Sequence, residues 1–118
     1  MSARAGIIVL RVRGFAATTL DSATEAAEMA EESGEEEADI LAAVARAYRD
    51  GALRFTREEA DAVASGLCDM ANSEDGFVEE HKSDPDAVES VRMARAARDG
   101  LSSLSVAARR AAARKVTA

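Results

Sequence analysis

Several features common in proteins are missing from this 118-residue chain. A single cysteine, Cys68, excludes an intramolecular disulfide. The apolar run Ile7–Leu10 is too short for a membrane span or for the hydrophobic core of a signal peptide. We therefore expect a cytoplasmic protein that does not enter a membrane. No proline-rich or glycine-rich linker divides the sequence, which predicts a single small domain over residues 1–118.

Large apolar side chains are scarce. The chain has 28 alanines, as many as all its Val, Ile, Leu, Met, Phe, Tyr and Cys residues together. Burying a Leu or Val side chain contributes roughly 1.5–3 kcal/mol, whereas a CH₂-sized group contributes only about 0.8. Alanine is also the best helix former. The composition predicts a mostly α protein with closely packed helices and a thin core, which a partner or a second copy could complete.

The charges are divided along the chain. The net charge is −7, yet residues 92–118 carry seven basic side chains and one acidic one. Residues 21–40 carry nine acidic side chains and no basic one. An acidic balance disfavours nucleic acid as the general partner, because phosphate binding depends on Lys and Arg. Either the two segments pair with each other, or one of them binds a partner.

Residues 6–13 give the one strong β signal in the sequence, a run of branched and apolar residues closed by Gly14. An isolated strand leaves its backbone N–H and C=O groups unpaired and needs a neighbour. The candidate within the chain is the short segment Ala52–Phe55. The alternative is pairing with another protein or with a second copy, which would give a homodimer through residues 6–13.

The rest of the chain reads as helices with clear start signals. Capping boxes occur at residues 22–25, 33–36 and 56–59, and Pro85 follows Asp84 at a fourth helix start. The predicted helices are 22–32, 34–50, 57–71, 85–99 and about 102–115, with a loop at 72–76 and a short helical turn at 77–82. We therefore predict a mostly α fold: an N-terminal β-strand and lead-in over 1–20, then about five helices. Apolar stripes in 34–50 and 57–71 predict a central antiparallel pair of these two helices.

The helix dipole explains many of the acidic residues, because it favours carboxylates at helix starts. It does not explain those at the end of the predicted helix 22–32. We therefore predict that the partner-binding residues are Glu28, Glu31, Glu32, Glu35, Arg109, Arg110 and Arg114. The leading hypothesis is a small acidic, non-enzymatic protein-interaction module that binds and modulates another protein, for example as an inhibitor, with no cofactor.

An enzymatic alternative depends on a resemblance. Glu31-Glu32-Ser-Gly-Glu35 and Glu58-Glu-Ala-Asp61 resemble the two halves of the motif of the all-α nucleotide pyrophosphohydrolases of the MazG type. That resemblance implies Mg²⁺-dependent hydrolysis of a nucleoside triphosphate, with Glu31, Glu32, Glu35, Glu58 and Asp61 as metal ligands. In the predicted helix pair, however, Glu35 and Asp61 lie more than ~15 Å apart along the axis. Metal ligands must lie within about 2–2.5 Å of one ion, so the leading hypothesis has no metal site.

Two other chemistries have weaker support. Nothing in the spacing of Cys68 and His81 requires them to meet as a nucleophile and its base. Residues 98–110 resemble the first two helices of a helix-turn-helix, but Arg110 stands where that motif has a core aliphatic residue, and the sequence ends before a recognition helix. Contact of the basic C-terminal helix, residues 101–118, with nucleic acid remains an alternative.

A further resemblance concerns the segment ALRFTREEADAVASGLCDMA, residues 52–71. It resembles the short strand, threonine cap and alanine-rich helix of small uncharacterised proteins of actinobacterial phages. The resemblance covers about a sixth of the chain and implies no activity. Together with the small size and the acidic surface, it suggests a phage or mobile-element accessory protein that binds a host protein.

Overall fold

The computed structural model describes residues 6–33 and 37–114, with side chains described for 6–29 and 42–114. Most of the described residues are helical, and an N-terminal strand precedes the helices, as expected. In chain order the elements are β1 (Ile7–Arg11), α1 (Gly14–Ser33), α2 (Glu37–Ala47), β2 (Tyr48–Arg49), β3 (Ala52–Thr56), α3 (Ala60–His81), a 3₁₀ turn (Pro85–Ala87) and α4 (Val88–Ala113). The described part thus has four α-helices rather than about five, together with a small sheet.

The three strands form one antiparallel sheet in the order β1-β3-β2. In the β1–β3 pair, Ile8 lies opposite Phe55 and Leu10 lies opposite Leu53. The N-terminal strand therefore pairs within the chain, with the segment that the sequence offered as a candidate. This pairing occupies one side of β1 and leaves it at the edge of the sheet.

A tight hairpin joins β2 to β3 through Asp50 and Gly51, whose φ angles are 51° and 75°. Positive φ at both central residues is what a two-residue type I′ turn requires, and Asp-Gly is a favoured pair for it. The predicted continuation of the second helix to Asp50 is therefore wrong. The helix ends at Ala47, and the chain turns into a strand because Asp-Gly sets a hairpin there.

Helix α1 begins at Gly14, eight residues before the predicted start at Ser22. The capping box at 22–25 consequently lies inside the helix, and the second box, at 33–36, falls largely outside the described residues. The early start has a packing reason, since buried or half-buried residues recur at the three-four spacing of a helix face. These residues are Ala16, Leu20, Ala23 and Ala27. The hydroxyls of Thr19 and Thr24 donate to the carbonyls four residues earlier, each at 2.8 Å.

The two longest helices, α3 and α4, form an antiparallel hairpin with the most extensive helix–helix contact of the fold. The central pair is therefore α3/α4 rather than the predicted 34–50/57–71, although α2 also contacts α3. Helix α3 continues through the predicted loop at 72–76. The reason is a buried stripe that persists beyond that loop to Val78, which packs against Val91 and Ala94 of α4.

Helix α4 also continues through Gly100, where the sequence predicted a break. A Cβ atom at Gly100 would lie 2.9 Å from Cβ of Ala16 in α1, closer than real Cβ contacts. The glycine is therefore required for the close crossing of α1 and α4, and it does not end the helix. Asp84 does act as the predicted cap, because its carboxylate accepts a hydrogen bond from the N–H of Asp86 at 2.9 Å, before the 3₁₀ turn that leads into α4.

The core lies between the inner face of the sheet and the helices. Its largest fully buried side chains are Phe55, Leu20, Leu53, Leu67, Leu101, Val44, Val63 and Val78. Alanines fill most of the remaining buried positions, so the core is as thin as the composition predicts. One polar group is satisfied inside it: Oγ of Ser105 donates to the carbonyl of Ala64 at 2.8 Å. This bond joins α4 to α3 at the buried seam.

The close crossing of α1 and α4 can be tested with two glycine substitutions. We expect Gly100→Ala to lower the free energy of unfolding by about 1–3 kcal/mol, because the added methyl forces the two helices apart. Gly76→Ala is the matched control, since it lies within α3 and its added Cβ would meet nothing within 4 Å. It should raise the free energy of unfolding by about 0.5–1 kcal/mol. Urea unfolding followed by circular dichroism measures both, and equal effects would contradict the described crossing.

Candidate functional site

The open edge of β1 is the first part of the candidate site. The N–H of Val12 donates to the carbonyl of Gly51 at 2.9 Å. This bond shows which alternate residues of β1 direct their backbone groups toward β3. Ile8 and Leu10 therefore direct their backbone N–H and C=O groups toward β3, and Ile7, Val9 and Arg11 direct theirs to the other side. No strand among the described residues pairs with that side. The edge offers three donors and three acceptors to a further strand.

The outer face of the sheet, which points away from the helices, is apolar and basic. Side chains alternate along β1, so that Ile8 and Leu10 pack on the core while Ile7 and Val9 are 47% and 54% exposed. The register places Arg54 opposite Val9, and it places Ala52 between Arg11 and Arg49. All three arginines are exposed. Nη1 of Arg54 donates to the carbonyl of Arg49 at 2.8 Å, across the hairpin turn.

Behind the edge lies a groove of about 750 Å³ between β1 and the second half of α4. Its floor includes Ile8 and Leu10, and its far wall includes Val106, which is 49% exposed. The charged residues that line it are Arg110 and Arg114, and no carboxylate of the described side chains takes part in the lining. A groove with this lining favours an anionic or apolar occupant.

The three arginines predicted from the sequence do not act together. Nη2 of Arg109 lies 3.6 Å from Oδ1 of Asp61 and donates to Oγ of Ser65 at 3.3 Å, so this side chain joins α4 to α3. Arg110 and Arg114 instead line the groove, and neither forms an ion pair within the described residues. The carbonyl of Arg114 accepts a hydrogen bond from Nη2 of Arg57 at 2.9 Å. The structure thus brings Arg110 and Arg114 together and separates Arg109 from them.

The predicted acidic surface is only partly described. Glu28 is exposed on α1, and no ion pair of its carboxylate occurs among the described side chains. Glu31 and Glu32 belong to the backbone of α1, but their side chains, and all of Glu35, lie outside the described residues. Asp21, at the start of the acidic segment, contacts Tyr48: burial first, and then the hydrogen bond to Asp21, raises the pKa of the Tyr48 hydroxyl.

Three described arginines of the basic segment, Arg92, Arg98 and Arg109, pair with carboxylates outside residues 21–40. Arg92 pairs with Glu89, and Arg98 lies 2.8 Å from Asp75 and 3.1 Å from Asp99. The largest cause of the raised pKa of Arg98 is its hydrogen bond to Asp75. Since Arg109 contacts Asp61, every described ion pair of this segment stays on the α3–α4 hairpin. No described ion pair joins the basic segment to the acidic face of α1.

The residues implied by the pyrophosphohydrolase resemblance are not assembled where they are described. Glu58 and Asp61 lie exposed at the start of α3, and Asp61 is directed toward Arg109. Within residues 6–29 and 42–114, no group of three or more His, Cys, Asp or Glu side chains could hold a metal ion. The side chains of Glu31, Glu32 and Glu35 lie outside that range.

The predicted capping box at Thr56 is confirmed, although it lies in the turn that leads into α3, which begins at Ala60 rather than at residue 57. The N–H of Thr56 donates to Oε1 of Glu59 at 2.8 Å, and the N–H of Glu59 donates to Oγ1 of Thr56 at 3.2 Å. The backbone N–H of Thr56, followed by its hydroxyl, lowers the pKa of Glu59. Since Thr56 is the last residue of β3, the box fixes the angle between the sheet and α3. It thereby helps to position the edge of β1 against α4.

Cys68 and His81 do not form a catalytic pair. Both lie on α3, thirteen residues and about 20 Å apart along the helix axis. The His81 ring packs against Phe77, with ring centroids 4.5 Å apart. Cys68 is exposed.

Glu74 is a feature that sequence reasoning missed. It lines a second cleft, of about 330 Å³, together with Phe15, Phe77 and Met93, and burial raises the pKa of its carboxyl group. The spacing of residues in the sequence indicates this position: Glu74 lies seven residues after Leu67 and therefore on the buried stripe of α3. The same holds for Arg11, Arg49 and Arg54, since alternation along the strands predicts their shared face once the Asp-Gly hairpin is recognised.

Comparison with known proteins gives no relative: no protein-family model, no curated protein and no solved structure matches the chain. None of the helices in the described ranges is long and apolar enough to cross a membrane. The surface geometry is therefore the basis for the proposed function.

The capping box generates a test by titration. In Thr56→Val the hydroxyl is lost while the backbone N–H remains, so the pKa of Glu59 should rise part of the way toward its ordinary value. Because the folded-state pKa is lowered, ionised Glu59 stabilises the fold above its unfolded-state pKa, and this contribution is lost as the pH falls through the folded-state pKa. Loss of the Thr56 hydroxyl bond should also lower the free energy of unfolding at neutral pH.

NMR titration of the Glu59 side-chain carboxyl carbon measures the shift. Thr19→Val is the matched control, because that hydroxyl bonds the carbonyl of Phe15 and does not contact Glu59. A Glu59 pKa that is the same in Thr56→Val and in the parent protein would contradict the described box.

Proposed function

We propose that the protein is a non-enzymatic interaction module that binds a segment of another protein as an added strand at the open edge of β1. The single observation that supports this most is the combination of unpaired backbone groups and exposed apolar side chains at Ile7 and Val9. Strand addition uses both: backbone hydrogen bonds give affinity, and alternating side chains give specificity. Side chains of an added strand alternate between its two faces. Those on the outer face would lie beside Ile7 and Val9, and those on the inner face would enter the groove behind β1.

The arrangement of the titratable groups supports binding over catalysis. An acid–base or nucleophilic site needs its groups within hydrogen-bond reach of one another in a cleft. Among the described side chains, Cys68 and His81 are far apart on one helix, and Glu74 lines its cleft without a second titratable group. The proposal that the partner is a host protein, and that the chain acts as a phage or mobile-element accessory protein, depends on residues 52–71 and on composition.

The acidic face of α1 is a second proposed contact surface of the same module. Glu25 and Glu28 are exposed along it, and no described ion pair joins them to an arginine of the basic segment. An acidic face of this kind suits a basic patch on a partner. Such binding weakens as salt screens the charges.

Strand addition predicts a selective effect of proline at Val9. The N–H of Val9 points away from β3, so Val9→Pro removes a donor from the open edge and keeps the β1–β3 hydrogen bonds. We expect about a tenfold or greater loss of affinity for the partner, since one lost hydrogen bond costs about 0.5–1.5 kcal/mol and the ring also obstructs the approaching strand. Val9→Thr, which keeps the N–H and the β-branched shape, should bind nearly normally.

The measurement uses the partner captured from the native host and then purified. Affinity is measured by calorimetry, and circular dichroism checks that each variant is folded. Equal affinity of Val9→Pro and Val9→Thr would show that the partner does not pair with β1.

Charge reversal tests the acidic surface separately. Changing Glu28, Glu31 and Glu32 together to Lys should weaken partner binding several-fold at low salt and have little effect at high salt. The fold should survive, because cations are favoured near the C-terminus of a helix. Asp69→Lys, an exposed charge reversal on α3, is the control. Unchanged binding of the triple variant at low salt would exclude this surface.

A further inference from the structure

Three arginines flank the open side of β1, in a chain whose net charge is −7. Arg11 lies on the outer face of β1 itself, and Arg110 and Arg114 line the groove behind the edge. Arg54 and Arg49 share the outer face but lie one and two strands away, on β3 and β2, and Nη1 of Arg54 donates to the carbonyl of Arg49, away from β1. The three flanking arginines are exposed. None of them forms an ion pair with a carboxylate in the described parts of the chain. The charge of this surface is thus opposite to that of the protein as a whole.

The arginines are placed on both sides of the position that an added strand would occupy. Side chains of a strand alternate between its two faces. One set would lie beside Val9 and Arg11 on the outer face, and the other would enter the groove near Val106 and Arg110. Each set therefore meets one apolar contact and one guanidinium group that forms no ion pair among the described residues. Carboxylates at alternate positions of the added strand match this arrangement in either register.

The same charges disfavour a second copy as the occupant. Antiparallel pairing of two β1 strands about Val9 would bring the two grooves together, each with its own Arg110 and Arg114. Like charges brought close across a sheet are destabilising. The edge is therefore better suited to a chain of opposite charge than to itself.

A nucleic acid also carries negative charge, but it fits the rest of the surface less well. Single-stranded nucleic acids bind through aromatic side chains on which bases stack, and the residues around β1 described above include no aromatic one on the exposed face. The three outward N–H and C=O pairs of Ile7, Val9 and Arg11 have the spacing of a polypeptide backbone.

We infer that the segment bound at the edge of β1 is an extended, acidic stretch of polypeptide in which carboxylates alternate with apolar residues. This inference rests on the proposed strand addition and specifies the chemistry of the partner. Backbone pairing with Ile7, Val9 and Arg11 holds the segment. Arg11 on the outer face, or Arg110 and Arg114 in the groove, selects for its carboxylates, according to the register.

The test uses the full chain and an eight-residue capped peptide that alternates Glu with Val. Two matched peptides replace every Glu by Gln or by Lys, and a single-stranded DNA of similar charge is the fourth probe. Binding is followed by NMR through the amide signals and the hydrogen exchange of Ile7, Val9 and Arg11. We expect the Glu peptide to protect these amides and to bind about tenfold or more tightly than the Gln peptide, with the Lys peptide weakest.

Protein variants locate the charge. The double variant Arg11→Glu/Arg110→Glu reverses one charge on each face. It should weaken the Glu peptide several-fold and strengthen the Lys peptide, because in either register the carboxylates then meet a reversed charge. Arg95→Glu, an exposed reversal on the same helix as Arg110 but outside the groove, should leave both affinities unchanged. An effect of Arg95→Glu as large as that of the double variant would show only a dependence on net charge and would overturn the inference.

The remaining outcomes separate this inference from the proposed function. Equal binding of the Glu and Gln peptides, with protection at Ile7, Val9 and Arg11, would overturn the acidic specificity and leave strand addition supported. No protection by any peptide would overturn the inference, while the Val9→Pro comparison still decides strand addition with the native partner. DNA that binds at these residues as tightly as the Glu peptide, or light scattering that shows a dimer protecting the same amides, would also overturn it.

Discussion

The scarcity of large apolar side chains is the constraint on which the rest of the structure depends. Half of the apolar residues are alanines, so the helices gain enough contact only by approaching one another closely. The hairpin of α3 and α4 meets this requirement along a seam of alanines, and the Ser105–Ala64 hydrogen bond satisfies the one buried hydroxyl there. Gly100 allows α1 to cross α4 closely as well. The remaining large side chains are concentrated where the sheet meets the helices.

Because the large side chains are concentrated there, the small sheet contributes much of the core despite its short strands. Leu53 and Phe55 of β3 are fully buried, and the capping box of Thr56 and Glu59 continues β3 directly into α3. The outer strand β1 is then fixed against α4 by its pairing with β3. The surface proposed to bind a partner is thus a product of the core: the side chains that hold the sheet to the helices leave one edge and one face uncovered.

The sequence predicts those features that depend on local chemistry. The strand at 6–13, the capping box at Thr56 and the cap at Asp84 all follow from residues within a few positions of one another. The errors concern features decided at a distance. Gly100 reads as a helix end until Ala16 is known to lie against it, and residues 72–76 read as a loop until Val78 is known to pack on Val91. The Asp50-Gly51 pair is a local hairpin signal, but the helical pattern of residues 34–50 hides it. The groove with Arg110 and Arg114 depends on the docking of α4 against β1, which no local pattern encodes.

The order of strands in the sheet has a consequence for how the molecule assembles. The β2–β3 hairpin closes a loop of two residues, whereas the pairing of β1 with β3 closes one of about forty, across the whole of α1 and α2. Closing the longer loop costs more chain entropy, and contacts of large sequence separation form later in folding. The hairpin is therefore expected to form first and to act as the template onto which β1 docks. A newly made chain would accept its own N-terminal strand by the same backbone pairing through which the finished molecule is proposed to accept another protein.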